Sequence, residues 1–174
     1  KRQVLNPALG EYITPLPTPA QPGRTVSESL TALLAAAPQI ERSGATDVCL
    51  LVGGFVYRMD YAALIASHRR GSAGVTAVTI EPRLAGHSSR PRLEARDGVA
   101  STLRVGEPVP KDQREQDRLL GAYVFDAKLL VRRLQELAAE GGTSSGPDDF
   151  IGRLLLPLAA AGDVVPPAPG RHIP

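Results

Sequence analysis

Residues 48–52, Val-Cys-Leu-Leu-Val, form an unbroken apolar run that ends on Gly53-Gly54. Nothing else in the chain constrains its fold as strongly. A strand with one face in water alternates apolar and polar residues, whereas a strand covered on both faces need not. The run therefore predicts a strand buried on both faces of a parallel sheet, with a crevice just past its end.

A sheet of that kind needs helices on both sides, and the chain supplies them. Thr25 with Glu28 forms a capping box, and Val26, Leu30, Leu33, Leu34 and Ala37 follow at helical spacing until Pro38 ends the run. Asp60 is placed to cap a second helix that buries Tyr61, Leu64, Ile65 and His68 and stops at Gly71. Residues 75–80 read as a strand. Residues 93–96 and 99–105 read as a hairpin about Asp97-Gly98. A polar loop with Pro108 and Pro110 precedes a strand at 119–125. Asp126 then caps a helix presenting Leu129, Leu130, Leu134, Leu137 and Ala138 on one side, and a last helix covers about 149–161. Alternating strands and helices give an α/β fold with a mixed, Rossmann-like sheet flanked by helices. Prolines 7, 15, 17, 19 and 22 make residues 1–24 an extended arm with little regular structure. The α/β domain is expected over 25–162, followed by a Pro-rich tail at 163–174.

Composition removes several function classes. Twenty Lys and Arg against 18 Asp and Glu leave a formal charge of +2, too small for the concentrated basic face that nucleic acid requires. No apolar run reaches the roughly 20 residues of a membrane helix. One cysteine, Cys49, can staple nothing within the chain, and no metal-type Cys/His spacing is present, so the default compartment is the cytoplasm and no metal is expected. Cys49, in mid-strand, reads as an inert core residue and His68 as a packed histidine. The Gly53-Gly54 pair reads as a tight turn in preference to a phosphate cradle. Arg83, Arg90, Arg92, Arg96 and Arg104 decorate the hairpin, either as solvated strand edges or as an anion-binding face.

Two stretches carry a resemblance. Residues 10–17, Gly-Glu-Tyr-Ile-Thr-Pro-Leu-Pro, and residues 55–61, Phe-Val-Tyr-Arg-Met-Asp-Tyr, resemble the Gly-Glu-Tyr-Ile-Thr-Pro and His-Val-Tyr-Arg-Met-Asp-Tyr segments of the bacterial glucose-1-phosphate adenylyltransferases (ADP-glucose pyrophosphorylases). The later Val-Thr-Ala-Val, Gly-x-Tyr-Val-Phe and Asp-Phe…Pro segments follow in the same order. The resemblance implies the second half of a nucleotide-sugar transferase domain, which joins ATP to glucose 1-phosphate and releases pyrophosphate. It also implies that the N-terminal nucleotide-binding half, with its Gly-rich loop, and the C-terminal β-helix lie outside these residues.

Within the matched region the expected ligands are altered. Where the resemblance places a magnesium-binding Asp, the chain has Gly54, after Gly53, and a glycine offers no carboxylate. The run near sugar and base becomes Arg24-Thr25-Val26-Ser27-Glu28. The Glu-Lys-Pro at the sugar phosphate becomes Gly106-Glu107-Pro108, which sets a carboxylate where a phosphate would sit. The Ser-Met-Gly before the later strand becomes Leu119-Leu120-Gly121. The remnant substrate-binding positions are thus Arg24, Thr25, Ser27, Gly53, Gly54, Gly106, Glu107, Gly121 and Asp149, with no catalytic residue and no metal ligand. Gly54 and Glu107 are expected on the same side of the sheet. Tyr57 and Met59 are expected to pack under the sheet.

The pattern points to a catalytically degenerate adenylyltransferase-like protein acting through protein contact, a regulatory or structural partner in sugar-nucleotide or glycogen metabolism. The expected partner is a second copy or an active family paralogue, with sugar nucleotide held weakly if at all. One alternative is a segment or divergent member of an active transferase, which would use Mg²⁺; another is a small anion-binding module built on the arginine-rich hairpin.

Overall fold

The computed structural model describes the backbone of residues 3–6, 11–13, 28–52, 59–80, 92–96, 99–104, 118–140 and 150–165, and the side chains within 30–52, 59–80, 119–140 and 152–165. In chain order the elements are β1 (Gln3–Asn6), β2 (Glu11–Ile13), α1 (Glu28–Ser43), β3 (Asp47–Leu51), α2 (Tyr61–Arg70), β4 (Val75–Ile80), β5 (Arg92–Arg96), β6 (Val99–Arg104) and β7 (Arg118–Asp126). Then come α3 (Ala127–Ala139), a π-helical segment (Phe150–Leu155), the short α4 (Leu156–Ala160) and β8 (Val164–Val165). The expected α/β architecture with a mixed sheet is present.

β7 is the strand on which the sheet is assembled. One of its edges pairs antiparallel with β4; the other pairs antiparallel with β3 over residues 122–126 and reaches β5 through Arg118 opposite Arg92. β6 extends the sheet beyond β5 as the expected hairpin, and β8 lies parallel to β4, so the sheet is mixed. Successive β7 residues point to opposite faces. Leu119, Tyr123 and Phe125 enter a cluster with α1, α3 and the C-terminal helical residues Leu154, Leu155 and Leu158. Leu120, Ala122 and Val124 enter a smaller one with Leu64 of α2 and Val78. Helices therefore cover both faces.

Two helix starts follow directly from sequence. The Asp60 carboxylate accepts from the Ala63 N–H at 2.9 Å, and that of Asp126 accepts from the Leu129 N–H at 2.8 Å; each satisfies an amide that the helix cannot. Gly71 ends α2, its N–H donating to the carbonyl of His68. At the far end of α3, Arg133 and Arg153 both reach Glu140, and Arg133 also donates to the Arg153 carbonyl, which ties the helix to the π-helical segment.

Several expectations are corrected. β3 is antiparallel to its neighbour and not part of a parallel ladder, and among the described residues no strand lies on its other edge. Its faces are half covered: Val48, Leu50 and Val52 pack on the larger cluster, Cys49 on the smaller, and Leu51 is 47% exposed. A continuous apolar run records cover above and below a strand. It carries no information about the direction of its partner or about a free edge.

Pro38 does not end α1, which continues to Ser43. Ile40, beyond the proline, packs on the larger cluster with Leu34 and Ala37, and that burial carries the helix past the break. The stop comes at Gly44, whose φ of +66° is a left-handed conformation that favours glycine, with its N–H reaching the Glu41 carbonyl. Tyr61 is exposed and not buried, because it lies in the first turn of α2 ahead of the buried Leu64 and His68. Ala138 is exposed, one position past Leu137, which closes the buried stripe of α3. The last helix is split into a π-helical and an α-helical part, with Pro157 at the start of the latter. The arm holds a short antiparallel pair, Val4 opposite Tyr12. The expected Thr25 cap lies outside the described residues.

Pro38 lacks the amide that would bond the Leu34 carbonyl. Proline costs about 3 kcal/mol relative to alanine in a helix interior, offset by about 1 kcal/mol because it also restricts the unfolded chain. Pro38→Ala is expected to stabilise the protein by about 2 kcal/mol in urea unfolding. A lower midpoint would contradict a continuous α1.

Candidate functional site

The C-terminal end of β3 is held by its bond to β7: the Val52 N–H donates to the Gly121 carbonyl at 2.8 Å. Gly121 has a φ of +92°, a region that side-chain-bearing residues rarely adopt, and the β4–β7 register is irregular across this stretch. Its role here is thus one of backbone shape. Met59 packs on the smaller cluster, as expected, and α2 begins at Asp60, so the end of β3, the irregular stretch of β7 and the N-terminus of α2 lie at one end of the sheet. The hairpin joins β7 at the same end. Across β6, β5 and β7, Arg104 stands opposite Arg92, and Arg92 opposite Arg118. Arg118 was not singled out in the sequence, since only strand register brings it beside the other two.

The N-terminal end of β3 carries a polar network. The Asp47 carboxylate accepts two bonds from Arg69, at 2.9 and 2.7 Å, and one from the Thr46 hydroxyl at 2.7 Å. Those hydrogen bonds, the guanidinium first, hold its pKa below the ordinary value of 3.8. His68 Nε2 lies 3.9 Å from the other Asp47 oxygen, while its Nδ1 is 2.9 Å from Thr76 Oγ1. Burial pushes the His68 pKa below its ordinary 6.5, against the pull of Asp47 and Asp126. The Thr-His-Asp order has the outline of a catalytic triad, but Thr76 is 2% exposed and offers no access to a substrate. The network fastens β3 to α2 and β4. A groove of about 580 Å³, lined by Ile40, Glu41, Thr46, Lys128 and Arg132 among others, opens at this same end between α1 and α3, away from the end of β3 that the resemblance would use.

Of the remnant positions, Gly121 is described; Arg24, Thr25, Ser27, Gly53, Gly54, Gly106, Glu107 and Asp149 lie outside the described residues, as does Tyr57. The expected shared side of Gly54 and Glu107 lies outside them too. A magnesium ion between phosphates needs carboxylate oxygens. Gly54 supplies none, and among the described residues no three His, Cys, Asp or Glu side chains are grouped to hold a metal. Cys49 is half-buried, and burial raises its thiol pKa, which keeps it protonated and unreactive. No described helix is long and apolar enough to cross a membrane.

No protein-family model matches the chain. Over 160 residues it is 29% identical to glucose-1-phosphate adenylyltransferase 2 of Vibrio parahaemolyticus, covering 87% of this chain and 39% of that protein. It is 28% identical over 171 residues to glucose-1-phosphate adenylyltransferase of Frankia casuarinae, covering 91% and 42%. With the enzyme of that name from Mesorhizobium japonicum it shares 31% over 123 residues, 68% of this chain and 28% of the relative. The chain spans about two fifths of the length of the first two relatives.

Because burial holds the folded His68 pKa below its ordinary 6.5, the unfolded chain takes up a proton at a higher pH than the folded chain does. Stability is therefore expected to be flat above pH 6.5 and to fall as pH drops from there toward the folded value, by at most about 1.4 kcal/mol per pH unit. Asp47 titrates below 3.8 and its contribution is intact throughout that window. His68→Gln should flatten the slope in chemical unfolding between pH 7 and 5; an unchanged slope would contradict a buried neutral imidazole.

Proposed function

We propose, from its similarity over most of its length to the glucose-1-phosphate adenylyltransferases, that this chain is a catalytically degenerate adenylyltransferase-like protein that works in the cytoplasm through protein contact. The observation that carries this reading is the side of the domain formed by β3 and α1. β3 offers one edge to β7 and, among the described residues, no strand to the other. Its only ionised side chain, Asp47, is already matched by Arg69. Residues 29–40 of α1 hold no charged residue, although Ala32, Ala35 and Pro38 are exposed. A helix facing water ordinarily carries charges on its outer face, and exposed strand edges are ordinarily blunted by charge, proline or a bulge. A second copy, or an active relative, satisfies both features at once. The altered ligands support the same reading: Gly54 and Glu107 withdraw the metal and repel the phosphate that transfer chemistry would need.

The second reading, a segment of a working transferase, is favoured by the chain spanning two fifths of its relatives. Further polypeptide would then cover the β3 edge.

An assay of pyrophosphate release from ATP and glucose 1-phosphate with Mg²⁺ separates these readings. The chain alone is expected to give no turnover near the roughly 1 s⁻¹ at the lower end of ordinary enzymes, and turnover at that level would overturn the non-catalytic reading. In sedimentation at micromolar concentration it is expected at twice its own mass, with Leu51→Lys returning it to the monomer. A monomer for the parent chain would remove self-association.

A further inference from the structure

The groove of about 580 Å³ between the C-terminal end of α1 and the first turns of α3 has the size of a small-molecule site, roughly 300–1,000 Å³. Its walls are tied together where the Ala127 N–H donates to the Thr46 carbonyl at 3.0 Å. Ile40 of α1 and Val131 of α3, both half-buried, give it an apolar lining. Charge is divided between the walls. The α1 side carries Glu41, and the α3 side carries Lys128 and Arg132, which stand four residues apart and so share one helix face. All three side chains are exposed, and among the described residues none of them forms an ion pair, although Arg133, next along α3, is matched by Glu136 and Glu140. Opposite charges that line one groove without meeting leave room for a ligand that carries both signs.

We infer that this groove binds a small zwitterion with an apolar body, of the class formed by amino acids with apolar side chains. Its carboxylate accepts from the planar fork of Arg132, with Lys128 as a second cation. Its ammonium group donates to Glu41, and its apolar part rests on Ile40 and Val131. Asp126 also lines the groove, but its carboxylate caps α3 through the Leu129 N–H, which leaves Glu41 as the free acceptor. The two carboxylates of the lining balance its two cations, so a plain anion of any size is matched less well than a molecule of no net charge. The groove stands at the opposite end of the sheet from the C-terminal end of β3, and its use is independent of whether the chain catalyses a reaction or pairs with itself.

The test is isothermal titration of the whole chain at neutral pH with phenylalanine and with leucine. Phenylpropionate and phenylethylamine, which keep the ring with one charge each, and glycine, which keeps both charges without the apolar body, serve as comparisons. Phenylalanine or leucine is expected to bind saturably, and each comparison compound at least tenfold more weakly. Glu41→Gln and Arg132→Gln should each weaken binding tenfold or more, while Arg70→Gln on α2, outside the groove, should change nothing. Both groove variants should melt with the parent chain, because they alter exposed side chains that hold no ion pair; their loss of binding is then not loss of fold. No saturable binding of either amino acid, or full binding by both groove variants, would overturn the site. Phenylpropionate binding as tightly as phenylalanine would overturn the zwitterion, since Glu41 would then have no role.

Discussion

Every layer of this protein refers to the pairing of β7. Residues Ala122 to Phe125 are essentially excluded from water, Tyr123 to Phe125 with a strand on both sides, and each meets a helical layer above or below. The odd positions bind the sheet to α1, α3 and the C-terminal helical segment, the even ones to α2. β7 also fixes what is placed at each end: its last residue, Asp126, caps α3, and its first, Arg118, receives the hairpin. In an antiparallel arrangement β3 must then end near the beginning of β7, which brings the C-terminal end of β3 and the junction with the hairpin to one end of the sheet.

How much of this could be read in the sequence depended on the range of the interaction. Asp60 and Asp126 cap helices through contacts three residues away, and both were legible, as was the hairpin about Asp97-Gly98. The run 48–52 showed that a strand packs here but neither its partial exposure nor its direction, because cover and pairing are decided by β7 and the helices, with β7 more than 70 residues further on. Pro38 misled for a similar reason: tertiary burial of Ile40 outweighs a local break. The Asp47–Arg69 pair, the His68–Thr76 bond and the alignment of Arg118 with Arg92 join residues that no linear pattern connects. Of the site positions taken from the resemblance, only Gly121 is among the described residues, and its positive φ accounts for it as backbone.

The two ends of the sheet carry different chemistry. At the Asp47 end, charges are paired, with Asp47 largely covered and Arg69 exposed, and the result is attachment of β3 to α2. At the opposite end, Arg104, Arg92 and Arg118 are neighbours in strand register. The caps and the core hold this scaffold together, and the proposed reading gives its uncharged β3–α1 side a use in protein contact.

The central claim is that, among the described residues, β3 is paired on one edge only. The Val52–Gly121 bond and the register with β7 direct the amides of Val48 and Leu50 toward β7 and those of Cys49 and Leu51 away from it. Residue-resolved hydrogen exchange across a concentration series tests this directly. In dilute solution Cys49 and Leu51 should exchange fast while Val48 and Leu50 stay protected, and the two fast amides should slow as concentration rises. Uniform protection of all four at every concentration would mean that the chain covers this edge itself, and would contradict the account.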